Sequence, residues 1–172
     1  MPRLLVAPLS SLADALDTHA PSHLISLLSP EHMIQTPAGF PTAMHLKLGI
    51  NDIIDPSGGP APPCRKHVDD LLAFARSWDA KQPLLIHCWA GISRSMASAY
   101  TILCDRLGPG REIEIAHAMR KRAPHAQPNR LLVHYADEAL ERRGRMIRAL
   151  NDISPPKLVE EGVLTSFPLE GL

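Results

Sequence analysis

The chain has 172 residues, of which 45% are hydrophobic, and its 18 Lys and Arg residues balance 18 Asp and Glu residues. This length allows one domain with a substantial core, and the composition is ordinary for a soluble globular protein. A formal net charge of zero gives no general reason to expect nucleic acid or a membrane surface as a partner.

The three cysteines, Cys64, Cys88 and Cys104, are separated by 24 and 16 residues. An odd number at such spacings does not indicate a disulfide framework, and the absence of a C-x-x-C pair argues against a zinc site. The first 17 residues make a poor signal peptide, and no stretch approaches the roughly 18 apolar residues of a membrane span. We therefore expect a cytoplasmic protein without a metal or a cofactor.

Short apolar segments in the first third of the chain predict buried strands at residues 3–7 (RLLVA), 23–28 (HLISLL) and 43–50 (AMHLKLGI). Between the first two, Ser10 or Ser11 could cap a short helix that Pro21 ends. The Pro- and Gly-rich stretch 55–63 predicts a loop.

The second part of the chain predicts helices around one further strand. Val68, Leu71, Leu72 and Ala75 form one apolar face of a helix that ends before Pro83. The remaining predictions are a strand at 83–88, helices at 93–108 and 111–123, and one long helix at 128–150.

Strands that alternate with helices predict an α/β fold with a mostly parallel central sheet of about four to five strands, flanked by helices. We assign residues 1–153 to a single domain and residues 154–172 to a C-terminal tail that is either packed on the surface or mobile. Ligands of such sheets bind at the carboxyl ends of the strands. The stretch HCWAGISRS, residues 87–95, lies at such an end.

This stretch combines several features that favour a tetrahedral dianion. A strand ends at Cys88, and a helix with unpaired N–H groups begins near Arg94 or Ser95. Gly91 permits a tight turn, and the guanidinium of Arg94 matches two phosphate oxygens. The same positive field would stabilise a thiolate at Cys88. We expect phosphate, sulfate or vanadate to bind in this loop.

A cysteine after an apolar strand is commonly only a small buried side chain. The combination of Cys88, Gly91, Arg94 and Ser95 in register between a strand and a helix favours a catalytic pocket instead. His87 could support the loop by hydrogen bonding.

The stretch fits the pattern H-C-x-x-G-x-x-R-S and resembles the signature loop of the protein tyrosine phosphatase superfamily, most closely its compact dual-specificity branch. HLKLGINDI and RKRAPHAQPNRLL resemble flanking segments of that branch, so that the likeness covers about residues 40–140. The resemblance implies a protein tyrosine phosphatase-like fold.

The resemblance also implies a two-step, metal-independent phosphoryl transfer. Cys88 would attack phosphorus to form a phosphocysteine, which water then hydrolyses. The phosphate-binding residues would be Trp89, Ala90, Gly91, Ile92, Ser93 and Arg94. Ser95 would assist departure of the thiolate, and His87 would support the nucleophile.

The family takes its general acid from an aspartate that precedes the signature. Asp52 follows LGIN and has the better local match, whereas Asp55 has the more usual separation from Cys88 and is kept in reserve. Asn129 either supports the active-site loops, as in the family, or only caps a helix. Cys104 is more plausible as a core thiol than as a partner for an oxidised Cys88.

The resemblance implies a phosphorylated protein as substrate, with phosphotyrosine first and phosphoserine or phosphothreonine as further substrates. A small or non-protein phosphate ester is an alternative, although the loop lacks the lysines typical of inositol-lipid phosphatases. Two other classes stay open, namely a phosphate-binding pseudophosphatase or regulatory module and a rhodanese-like sulfur transferase. The sequence gives no oligomeric state.

Overall fold

The computed structural model of the chain describes residues 2–171. The strands are β1 (Arg3–Pro8), β2 (His23–Leu28), β3 (His45–Gly49), β4 (Leu84–Cys88) and β5 (Thr165–Pro168). The helices are α1 (Leu12–His19), α2 (Arg65–Ser77), α3 (Arg94–Leu107), α4 (Glu112–Arg122), α5 (Arg130–Ala139) and α6 (Arg145–Asp152).

The five strands form one sheet in the order β3-β2-β4-β1-β5. β1, β2, β3 and β4 run parallel, whereas β5 is antiparallel to β1. The predicted α/β class with a mostly parallel sheet of four to five strands is thus confirmed. β4 is the central strand, so its carboxyl end lies midway along the row of strand ends, between those of β2 and β1.

Helices cover both faces of this sheet. Leu4 and Val6 point into the larger core cluster with α2–α6, whereas Leu5 and Ala7 point into a smaller cluster with α1. Alternation along each strand produces this division, and burial on both sides explains why the strands read as continuous apolar runs.

The four predicted strands are confirmed, although β3 begins at His45 because residues 42–44 form a turn of 3-10 helix. The single long helix predicted at 128–150 is wrong. The chain breaks between α5 and α6, where Glu141, Arg143 and Gly144 all have positive φ. A helix cannot continue through residues in that conformation. The sequence did not predict β5.

Within residues 2–171, no helix has the length and apolar character needed to cross a membrane. The same part of the chain contains no cluster of three or more His, Cys, Asp or Glu residues that could hold a metal ion.

Two histidines are buried in the sheet beneath the smaller cluster. His87 is 0% exposed, and burial lowers its pKa to about 4. His45 is 8% exposed, and burial likewise lowers its pKa to about 4. Both imidazoles are therefore neutral in the folded protein at neutral pH, because a charged imidazole would lose its hydration there.

These histidines make stability depend on pH. Above pH 6.5, the ordinary pKa of histidine, the two imidazoles are neutral in both the folded and the unfolded chain. Between about pH 6.5 and 4 they bind protons in the unfolded chain but not in the folded protein. We expect the free energy of unfolding to fall across this window as pH is lowered. His45→Gln should make the fall shallower in urea titrations at several pH values. The exposed His134→Gln is the control, and an unchanged slope in His45→Gln would contradict the prediction.

Candidate active site

The centre of the site is the turn between β4 and α3. Cys88 is the last residue of β4, and α3 begins at Arg94. The Cys88 side chain is buried, and its Sγ lies 3.1 Å from Oγ of Ser95 in the first turn of α3. The positive end of the helix is therefore directed at the turn that contains the thiol.

Gly91 allows this turn to close against β1. Its φ is +69°, and a Cβ at this position would lie 2.8 Å from the backbone N of Pro8. Both the backbone conformation and the close approach exclude a side chain here.

The carbonyl groups of the turn are held from outside by backbone N–H groups. The contacts are Leu9 N to Trp89 O (3.0 Å), Gly162 N to Ala90 O (2.8 Å), Gln127 N to Ile92 O (2.9 Å), and both Ala97 N (2.9 Å) and Asn129 N (3.2 Å) to Ser93 O.

The N–H groups of the turn point inward as a consequence. A trans peptide directs the following N–H opposite to its C=O, and the described residues contain no cis peptide bond. The inward N–H groups are those of Ala90, Gly91, Ser93 and Arg94. Such a ring of donors is a nest for a tetrahedral oxyanion.

Arg94 adds a fixed positive charge to this nest. It is 7% exposed, and its Nη1 donates to the carbonyl of Ile50 at 2.8 Å. Its Nε is buried and has no hydrogen-bond partner among residues 2–171. A buried donor without a partner is costly, so an oxyanion that accepts from Nε would be favoured.

The two candidate acids lie in different surroundings. Asp52 lines the cleft above Cys88 and accepts from Ser93 Oγ at 2.7 Å through its Oδ1. Asp55 lies outside the cleft, where its Oδ1 accepts from the backbone N of Ser57 at 2.9 Å and from Ser57 Oγ at 2.8 Å. The backbone hydrogen bond from Ser57, followed by the hydroxyl bond, lowers the pKa of Asp55. Asp55 is therefore an exposed turn residue in this structure.

Asn129 both caps a helix and contacts an active-site loop, which the sequence analysis gave as alternatives. Its side-chain oxygen caps α5 by accepting from the backbone N of Leu132 at 3.0 Å. Its Nδ2 donates to Asp52 Oδ1 at 2.8 Å and to the carbonyl of Ile53 at 3.1 Å. The helix cap thus orients the amide group that holds the aspartate.

The cleft over Cys88 has a volume of about 620 Å³. Trp89 on one side is 58% exposed, and its ring meets the edge of His32 at a centroid distance of 5.9 Å. Ile54, also part of the lining, is 70% exposed. The lining therefore combines apolar side chains with polar ones, among them Gln127 and Arg130.

A larger cavity of about 1040 Å³ lies at the other edge of the sheet, between α1 and residues 37–44. Its lining contains no cysteine, lysine or arginine. The smaller cleft is the candidate active site, because it combines the Cys88 thiol with donors for an anion.

The two other thiols lie away from this cleft. Cys104 is fully buried in α3, and burial raises the pKa of its thiol, so it packs as a core residue. Cys64 is half-buried at the start of α2, where its Sγ lies 3.3 Å from Nδ1 of His67.

Three residues that position the turn could not be found from the sequence. Leu9, Gln127 and Gly162 act only through backbone N–H groups, so their side chains give no signal. Gly162 comes from the C-terminal tail, which packs directly on the anion nest.

We predict that Gly162→Ala weakens anion binding. The new Cβ would lie 2.7 Å from Nε2 of His125 and 3.0 Å from the carbonyl of Gly91. Because the His125 ring is buried and the Gly91 carbonyl belongs to the turn, we expect the tail to move away from the nest. Affinity for vanadate, measured by calorimetry, should fall about tenfold or more, because a shift of about 1 Å is costly at such a site. Val163→Ala, at an exposed neighbouring position, is the control. Equal affinities in both variants would contradict a positioning role for the tail.

No protein-family model matches the chain, and no curated protein matches it. Among solved structures, it is similar to a human tyrosine phosphatase-like serine/threonine/tyrosine-interacting protein, with 22% identity over 81% of this chain and 91% of that chain and a TM-score of 0.63. It is also similar to PTPMT1 in complex with PI(5)P, with 20% identity over 85% of this chain and 94% of that chain and a TM-score of 0.58. DUSP15 is similar with 19% identity over 90% of this chain and 94% of that chain and a TM-score of 0.56. The chain therefore has the compact, dual-specificity-type fold of the protein tyrosine phosphatase superfamily.

Proposed function

We propose that the protein is a cysteine-dependent phosphatase that hydrolyses phosphomonoesters through a phosphocysteine intermediate, with protein phosphotyrosine as the leading substrate. The principal support is the position of the Cys88 thiol at the floor of a nest of inward N–H groups beside Arg94. The phosphatases that share the fold add support.

In the first step, the Cys88 thiolate attacks phosphorus and forms an S–P bond while the P–O bond to the alcohol breaks. The N–H ring and Arg94 stabilise the charge on the three equatorial oxygens. Asp52 donates a proton to the departing oxygen. Its two hydrogen bonds both fall on Oδ1, so Oδ2 is the oxygen available to carry the proton.

In the second step, Asp52 takes a proton from a water molecule whose oxygen attacks phosphorus. The S–P bond breaks, and inorganic phosphate and the thiolate are released. The hydroxyl of Ser95, 3.1 Å from Sγ, donates to the sulfur as its charge returns. Each step therefore has a residue in place for its proton or its charge.

The surroundings of the nest favour an aryl phosphate. Trp89, Ile54 and Ile92 form the apolar part of the cleft lining, and the side chains between Cys88 and Arg94 are uncharged. The polar part of the lining includes Arg130. A phosphotyrosine ring would gain from contact with the apolar groups.

Cys88→Ser should abolish turnover. We expect p-nitrophenyl phosphate hydrolysis, with chelator present and at about pH 5–7, to fall by roughly 10³-fold or more, because an essential nucleophile is lost. Vanadate should inhibit the wild type. Cys64→Ser removes a thiol away from the cleft and should keep full activity. A metal requirement, or persisting activity in Cys88→Ser, would refute the mechanism, and anion binding without turnover in the wild type would indicate a pseudophosphatase.

Asp52→Asn should slow hydrolysis of phenyl phosphate by about 10²–10⁴-fold, the usual contribution of a general acid. The loss should be smaller with p-nitrophenyl phosphate, whose leaving group departs more readily without a proton. Asp55→Asn is the matched variant and should stay close to the wild type on both substrates. The reverse ranking of the two variants would assign the acid to Asp55.

A further inference from the structure

A hydrogen-bonded chain of buried side chains runs across three parallel strands to the nucleophile. Nε2 of His87 lies 2.6 Å from Oγ of Ser26, and this oxygen lies 2.8 Å from Nε2 of His45. Nδ1 of His45 lies 3.0 Å from Oγ1 of Thr36. Nδ1 of His87 faces the backbone carbonyl of Cys88 at 3.4 Å.

The sheet register brings these residues together. Ser26 of β2 pairs directly with His87 of β4, and Leu24, two residues earlier on the same face, pairs with His45 of β3. Side chains two residues apart point to the same face, so the three polar groups form one row. All three residues are buried.

The number of protons restricts how this row can be bonded. The Ser26 hydroxyl has a single proton, so it can donate to only one of the two imidazoles it touches. The other imidazole must present an N–H at its Nε2. A neutral imidazole has one N–H, so this choice also determines which nitrogen at the far end of each ring is protonated.

Two arrangements satisfy this condition and also give the Ser26 proton an acceptor among the two imidazoles it touches. In the first, His87 donates to Ser26 through Nε2–H, and its unprotonated Nδ1 faces the Cys88 carbonyl with two lone pairs opposed. In the second, His45 donates to Ser26 through Nε2–H, Ser26 donates to His87, and Nδ1–H of His87 donates to the Cys88 carbonyl. In both arrangements every donor of the row has an acceptor, but only the second gives Nδ1 of His87 a hydrogen-bond partner. In the first, its lone pair faces that of a buried carbonyl, and such unsatisfied buried polar groups are costly.

We propose that His45 is a positioning residue for the nucleophile, acting through Ser26 to fix His87 in the tautomer that carries its proton on Nδ1. The Nδ1–H then holds the Cys88 carbonyl outward. Because the following peptide N–H points the opposite way, the Trp89 N–H is directed into the nest, like those of the later residues of the loop.

Burial is the main reason that both imidazoles of the row are neutral, because it lowers the pKa of each ring. The hydrogen bond to the Cys88 carbonyl acts in the opposite direction on His87, but burial outweighs it, and the nearby Arg94 charge adds to the lowering. Lys47 adds to the lowering at His45. The tautomer of His87 is thus set by hydrogen bonding and not by protonation at neutral pH.

The direct test is nuclear magnetic resonance of the histidine side chains in protein labelled with ¹⁵N-histidine, at neutral pH. Long-range ¹H–¹⁵N correlations should show His87 protonated on Nδ1 and His45 protonated on Nε2. In Ser26→Ala, His87 should lose this fixed tautomer. A His87 protonated on Nε2 in the wild type would overturn the proposal. This readout requires no phosphatase activity, so it separates failure of this inference from failure of the proposed function.

A kinetic test compares two substitutions of His45 and rests on the proposed function. His45→Gln retains an N–H donor for Ser26 and should keep kcat within about threefold of the wild type, whereas His45→Phe removes the donor and should lower kcat about 10- to 100-fold with little change in KM. His23→Phe is the matched control, since His23 is 7% exposed, lies on the same sheet and is absent from the row. Equal kcat values for His45→Phe and His23→Phe, at equal stability, would contradict the proposal.

Discussion

The site depends on one constraint: a loop that surrounds an anion with N–H groups must direct its carbonyl groups outward, where each needs a donor. Here the donors come from the residue after β1, from the loop before α5, from α3 itself and from the C-terminal tail. The geometry of five residues is therefore set by segments from across the whole chain. This explains why the fold brings β1, α5 and the tail around the end of β4, since a loop with unpaired outward carbonyls would not keep its shape.

Asp52 and the nest are coupled through the same segments. Asn129 donates its backbone N–H to Ser93 and its side-chain amide to Asp52, while Ser93 donates its hydroxyl to the same carboxylate. Asp52, the proposed general acid, and the candidate anion-binding loop therefore share their supports, and a movement of α5 would displace both. Such preorganisation reduces the reorganisation needed during a reaction.

The carbonyl of Cys88 needs a donor in the same way. In our proposal His87 supplies it, supported by Ser26 and His45. A serine and two histidines in a sheet interior lose their hydration, and their mutual hydrogen bonds offset this cost. Their placement next to Cys88 fits the observation that natural folds accept such a cost near functional sites.

The sequence alone determined the elements of local origin. Apolar runs bounded by Pro and Gly predicted the parallel strands. The residues from His87 to Ser95 predicted the strand, turn and helix that form the candidate anion loop, because these signals are contiguous there. The tertiary structure decided what depends on distant contacts. It placed Asp52 in the cleft and Asp55 outside it, split the last helix at residues 140–144, and added β5. It also assigned backbone donors such as Gly162, and the row from His45 to His87, because neither backbone contacts nor cross-strand neighbours leave a pattern along the chain.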